Sequence, residues 1–120
     1  MSPNEIIQKY FASIHSGDWQ SFIADEFSFI NSNLDKVVFG KAAYIEAAGR
    51  FFRATTSVEI RDMIIDGDRA AIIARYQLRS PKGNTGLCDV VEIITVKGDK
   101  LTSSAIFFDT KTLADFMSRG

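Results

Sequence analysis

Apolar positions along the chain follow two rhythms. Ile6, Ile7, Tyr10, Phe11 and Ile14 recur three and four residues apart, the spacing of one helix face. Ser2-Pro3-Asn4-Glu5 ahead of them reads as a capping box with proline at the first helical position, so a helix is predicted to run until Gly17 stops it. Asp18 is expected to cap a second short helix carrying Trp19, Phe22 and Ile23. Over residues 26–31, Phe27, Phe29 and Asn31 alternate with other side chains, which predicts a strand ending in an Asn31-Ser32-Asn33 turn. After Gly40, Tyr44, Ile45, Ala48, Phe51 and Phe52 return to helical spacing. From 56 to about 109 the period is two, broken by Asp66-Gly67-Asp68, Ser80-Pro81-Lys82-Gly83-Asn84 and Lys97-Gly98-Asp99, three hairpin signals. A short amphipathic tail over 113–117 is expected to start from a cap at Asp109 or Thr110.

Helices first and a run of antiparallel strands afterwards predict an α+β fold, with N-terminal helices packed on one face of a curved antiparallel sheet. Ala70, Ile72, Ala74, Tyr76 and Leu78 fall on one side of their strand, and Arg75, Gln77 and Arg79 on the other. The strand over 88–96 differs. Cys88, Val90, Ile94 and Val96 share one face, yet Val91 and Ile93 make the other apolar too. Helices cover only one face, so the second, joined by Ala105 and Phe107, is expected to be covered by another copy of the chain in a homodimer.

Composition narrows the functional classes. The 120 residues carry 46% hydrophobic and 24% charged side chains, as ordinary globular proteins do. One domain spanning 1–120 is expected, burying roughly two thirds of its surface on folding. The formal net charge of -1 comes without any block of like charge, which argues against nucleic acid or an anionic membrane as partner. A single Cys88 and a single His15 offer neither a disulfide nor a histidine-rich metal site, so no metal is expected. No apolar run has membrane length and no signal-peptide pattern is visible, which places the expected location in the cytoplasm. The unusual feature is aromatic content: ten Phe, three Tyr and one Trp, side chains that fill cores and also line apolar pockets.

Glu92 is the first candidate for chemistry, because it interrupts Val90-Val91-Glu92-Ile93-Ile94 on the face of Val90 and Ile94. Facing the helices, its carboxyl would be desolvated, its pKa raised, and its proton available for donation or transfer. Facing outward, it would be solvated or paired with Arg75 or Arg79. Tyr10, on the apolar stripe of the first helix, is the second candidate: a phenol beside a protonated acid makes a two-donor oxyanion site. Its alternative is a core tyrosine bonded to a backbone carbonyl. His15 suits the C-terminal end of the helix dipole and reads as a cap. Cys88 has no neighbouring base, and the 83–86 loop lacks the helix and Lys-Ser/Thr signature of a phosphate cradle. Asp109 reads as a helix cap, and Asp62 as either a second pocket acid or a bulge residue.

The run Gln8-Lys9-Tyr10-Phe11-Ala12-Ser13-Ile14-His15-Ser16-Gly17-Asp18 resembles the first helix and Gly-Asp turn of the nuclear transport factor 2-like superfamily. So do Phe39-Gly40-Lys41-Ala42-Ala43, Val96-Lys97-Gly98-Asp99-Lys100-Leu101 and Ile106-Phe107-Phe108-Asp109, and the likeness spans nearly the whole chain. It is strongest to the SnoaL-like and ketosteroid isomerase branches. The resemblance implies a cone-shaped sheet, with the helices on its concave face enclosing a pocket, often in a dimer formed through the sheet. It puts Tyr10 where the isomerases have their oxyanion tyrosine and Glu92 where they have their protonated acid. Asn31 stands where they carry the aspartate base, and an amide cannot accept that proton.

The expected site therefore holds Tyr10, Asn31 and Glu92, with Phe27, Phe29, Phe52, Tyr76, Ile94 and Phe108 as apolar walls. Its ligand would be a small apolar or carbonyl-containing molecule. No cofactor is implied. As an enzyme, the protein would move a proton beside a carbonyl, in an isomerase, cyclase or hydratase type of reaction. Tyr10 and Glu92 would stabilise the enolate, and Asp35, Asp62 or the substrate itself would supply the base. The alternative is a non-catalytic ligand-binding or dimeric protein-interaction domain.

Overall fold

A computed structural model describes residues 2–31 and 37–119. The first helix, α1 (Pro3–Ala12), starts as its sequence requires: the Ser2 hydroxyl accepts from the Glu5 amide and the Glu5 carboxylate reaches back to the Ser2 backbone. It stops at Ala12, five residues short of Gly17, because the hydroxyl and amide of Ser13 both donate to the Tyr10 carbonyl and turn the chain. Gly17 adopts φ +85 and opens a 3₁₀ turn, Asp18–Phe22, with no side-chain cap, so Asp18 does not play the capping role expected of it. Ile23, expected on that short helix, is already in β1 (Ile23–Asn31).

A two-residue strand, β2 (Val38–Phe39), leads into α2 (Lys41–Ala54). The remaining strands, β3 (Thr55–Asp66), β4 (Arg69–Arg79), β5 (Thr85–Lys97) and β6 (Lys100–Phe107), follow at the predicted hairpins, and α3 (Thr110–Arg119) closes the described chain. Asp109 caps α3, accepting from the amide and hydroxyl of Thr112. The turn expected over Asn31-Ser32-Asn33 lies outside the described residues beyond Asn31, and so does Asp35.

The curved sheet has the order β2-β1-β6-β5-β4-β3 and is antiparallel except where β1 meets β6. That parallel pairing sets Ser104 beside Phe29 and Ile106 beside Asn31. The first strand of the chain thus borders the last, and the cluster Phe27, Phe29 and Asn31 is carried next to β6, one strand away from β5. Period-two alternation settles the two faces. Ala70, Ile72, Ala74, Tyr76, Leu78, Val90, Ile94 and Val96 are buried under α1 and α2, in one core with Ile6, Ile7, Phe11 and Trp19. On the opposite face, Val91 is 40% exposed and Phe107 46% exposed. Asp62 sits at a register shift in β3, where its carboxylate accepts from the Met63 amide. Of its two sequence readings, the bulge is the one the structure shows; the side chain is exposed and far from a pocket role.

Candidate functional site

The helix-facing side of the sheet is not filled completely. Between α2 and strands β1, β4, β5 and β6 lies a cavity of about 120 Å³. α2 contributes Tyr44, Ala47, Ala48, Phe51 and Phe52; the sheet contributes Phe29, Asn31, Tyr76, Val90, Glu92 and Ile106, with Phe108 beyond β6. The hollow has a simple cause. Two alanines, Ala47 and Ala48, stand on the α2 side of the cavity, where longer side chains would close the space. Rings hold the remaining wall in place, with Phe51 edge-on to Tyr76 at 4.9 Å and Phe29 edge-on to Tyr44 at 5.2 Å between centroids.

Glu92 is the acid of this cavity and is 4% exposed. It occupies the inner face of β5 opposite Ile72 of β4 and Ile106 of β6, so two isoleucines flank it across the sheet. Its partner is Tyr76, whose hydroxyl donates to Glu92 Oε2 at 3.0 Å. Small Ala74, between Tyr76 and Ile72 on the same face of β4, leaves the phenol room to lean along the sheet. Burial pushes the Glu92 carboxyl up to about 7, although the Tyr76 hydrogen bond works in the other direction. Neither Arg75 nor Arg79 reaches it: both alternate to the outer face, and Arg75 instead holds Asp89.

Tyr10 and Tyr44 form the second polar pair, hydroxyl to hydroxyl at 2.8 Å. Tyr44 lines the cavity; Tyr10 lies behind it, fully buried, with its ring edge-on to Phe11, Trp19 and Phe52. Burial raises the pKa of both hydroxyls, and the nearby Glu92 charge raises them further, so both stay protonated at neutral pH. The same holds for Tyr76. Tyr10 therefore meets neither a backbone carbonyl nor Glu92; its side-chain partner is another phenol.

Of the residues expected at the site, Asn31, Glu92, Phe29, Phe52, Tyr76 and Phe108 converge on the cavity. Phe27 and Ile94 do not. Phe27 packs under Tyr44 at 4.4 Å between centroids, and Ile94, one inner-face step past Glu92, is covered by the core. His15 lies in the turn after α1 rather than in its last helical turn, and its Nε2 lies 3.1 Å from the Thr55 carbonyl oxygen, at the start of β3. Sequence reasoning passed over Tyr44. The available signal was a phenol on the apolar stripe of α2, the same pattern that singled out Tyr10. Among the described residues no group of three or more His, Cys, Asp or Glu side chains could hold a metal ion. Among the described residues no helix is long and apolar enough to cross a membrane.

Residues 7–104 match the profile of the SnoaL-like domain. No curated protein matches the sequence significantly. Solved structures do. A candidate SnoaL-like polyketide cyclase from Jannaschia sp. CCS1 superposes with a TM-score of 0.82 at 16% identity, over 98% of this chain and 92% of that one. TerC, co-crystallised with polyporic acid, gives 0.78 at 21% identity over 98% and 99%. An NTF2-like protein from Burkholderia xenovorans LB400 gives 0.73 at 22% identity over 96% and 95%. At such identities the likeness is one of fold.

Proposed function

The chain belongs to the SnoaL-like domain family, and from that premise we propose that it is a small-molecule enzyme moving a proton next to a carbonyl group, with Glu92 as the group that carries the proton. The observation that supports this reading most is a carboxyl poised near neutrality on the wall of an apolar cavity. A general base works best when its pKa lies near the working pH, and Glu92 meets that condition. Because Tyr76 donates to it, the ionised form has a ready partner, so Glu92 acts as the base rather than as a permanently protonated oxyanion donor. This removes the need for Asp62, which is exposed at its bulge.

Ionised Glu92 takes a proton from the carbon next to the substrate carbonyl. The electron pair left behind moves to the carbonyl oxygen, making an enolate. Tyr44, whose hydroxyl is aligned by Tyr10, donates a hydrogen bond to that oxygen. Protonated Glu92 returns its proton to carbon, at the same or the conjugated position. Tyr10 is a positioning residue in this scheme, and Asn31 offers an amide to a second polar group of the substrate. An apolar cavity of roughly 150 Å³ holds one benzene ring, so a space of about 120 Å³ near Glu92 takes at most a single small ring.

A β,γ-unsaturated cyclohexenone tests the scheme, because its conversion to the conjugated ketone is followed by ultraviolet absorbance. Catalysis by the native chain, lost in Glu92→Gln, is the expected result. Equal rates in both proteins would refute Glu92 as the base. Ligand-induced thermal stabilisation without turnover in either would favour a binding domain instead.

The outer sheet face supports a further part of this reading, a homodimer. Val91 lies opposite Phe107 and Ile73, Ile93 opposite Ala105 and Ala71, and Ile64 opposite Ala71, which makes one continuous apolar surface. Monomers seldom leave such a patch uncovered, and a second copy brings a face of matching character. Light scattering on Val91→Asp/Phe107→Asp tests it: the native chain is expected at twice the monomer mass and the variant at the monomer mass.

A further inference from the structure

A second hollow, of about 270 Å³, lies under α3 on the helix-facing side of the sheet. Its floor is Leu78, Gly86 and Cys88, and α3 supplies Leu113 and Phe116 as its roof. Gly86 shapes this seat. A side-chain carbon there would come within 2.8 Å of the Phe116 ring, so the missing side chain is what lets the ring approach the sheet.

The two hollows abut along three elements. On β4, Tyr76 lines the first and Leu78, the next inner-face residue, lines the second. On β5, Val90 and Cys88 divide in the same way, and after β6 Phe108 faces the first while Asp109 borders the second. Neighbouring inner-face residues of a strand are about 7 Å apart, the length of one aromatic ring. We propose that the α3 hollow is a second subsite continuous with the Glu92 cavity, and that it takes an apolar extension of a ligand whose ring sits against Glu92. The partly buried Phe108 stands at the boundary between the two. The proposal rests on the reading that the Glu92 cavity binds a ring. It assigns a substrate class: an uncharged single-ring carbonyl or enol compound bearing an alkyl or aryl arm. Among the described residues that line the second hollow there is no cationic side chain, and Arg75 beside its rim is already paired with Asp89, so an arm ending in a carboxylate or phosphate is disfavoured.

Phenol and its para-ethyl, para-butyl and para-hexyl derivatives probe both hollows, since the hydroxyl mimics an enol and the chain reports on the arm. Calorimetry on the native chain is expected to show affinity rising roughly 2- to 4-fold per methylene through the butyl compound. Leu113→Trp fills the hollow from α3 and is expected to flatten the series to the affinity of phenol while leaving phenol unchanged. Phe116→Ala removes the roof and is expected to lose the same increments without adding bulk. Cys88, the sole cysteine, gives an independent readout: para-hexylphenol is expected to slow its labelling by a maleimide, and phenol is not.

Affinity that stays flat along the native series, an unchanged slope in both variants, or Cys88 labelling indifferent to para-hexylphenol would each overturn the subsite. The Glu92 reading fails separately. If phenol does not bind while para-hexylphenol binds, protects Cys88 and responds to Leu113→Trp, the subsite stands and the Glu92 cavity loses its ring. Binding of neither compound overturns both.

Discussion

Asp89 and Glu92 lie three residues apart on β5, on opposite faces of one strand, and their environments could hardly differ more. Asp89 is exposed and receives two guanidinium hydrogen bonds from Arg75, at 2.8 and 3.1 Å, which hold its carboxyl below the usual range. Glu92 is sealed beneath α2 with a phenol for company, and burial lifts its carboxyl to about 7. The strand supplies both through nothing more than alternation. One acid is stabilised as an ion in water, the other is kept near the point where it can both take and give a proton. Chemistry follows from the face, and face is a matter of odd or even position.

Four substitutions or titrations test the difference between the two acids. The largest concerns activity: Glu92→Gln is expected to lower turnover of a β,γ-unsaturated cyclic ketone by about 10²–10⁴, the usual worth of a general base, while Asp89→Asn leaves it unchanged. Stability against pH comes next. Glu92 holds its proton more tightly in the folded chain, at about 7, than in the unfolded chain, at 4.5. Between those values the unfolded state releases a proton that the folded state keeps, so the native protein loses stability as pH rises and levels off above 7. The loss amounts to about 3 kcal/mol. Glu92→Gln lacks this term, so denaturant unfolding at pH 4 and pH 8 should show the variant gaining on the native chain by that order. A gap that does not vary with pH would mean that Glu92 titrates normally.

Smaller again is Tyr76→Phe. It removes the hydrogen bond that favours ionised Glu92, so the Glu92 pKa is expected to climb further, by about one unit, and the acid limb of the pH–rate profile to move with it. An unmoved limb would show that Tyr76 does not tune the acid. The smallest effect belongs to the outer face. Arg75→Gln breaks an exposed ion pair, and no measurable change in Tm is expected at physiological salt.

Much of this could be read from residue order. The inner and outer sets of β4 and β5, the three hairpins, the capping box of α1 and the family resemblance all depend on local chemistry that a sequence displays. Glu92 stood out because it interrupts the apolar run Val90-Val91-Glu92-Ile93-Ile94, where a charge on the inner face is desolvated. What could not be read depends on longer-range geometry. The reach of Tyr44 to Tyr10 spans 34 residues and is set by the angle at which α2 lies across the sheet. Whether Phe51 borders the cavity turns on the rotation of α2, which periodicity leaves open, and Phe27, on the same face of β1 as Phe29, is kept from the cavity by the Tyr44 ring packed against it. The early end of α1 came from Ser13 bonding back to Tyr10, a competition that a search for a glycine stop does not register.

The chemistry proposed for the cavity needs one buried carboxyl, that of Glu92, to titrate near neutrality. Carbon-13 NMR of glutamate-labelled protein, titrated across the acid and neutral range and assigned with Glu92→Gln, observes it directly. A Glu92 carboxyl resonance with a midpoint near 7 is the expected result. A midpoint at the ordinary glutamate value of 4.5 would leave the cavity without its base.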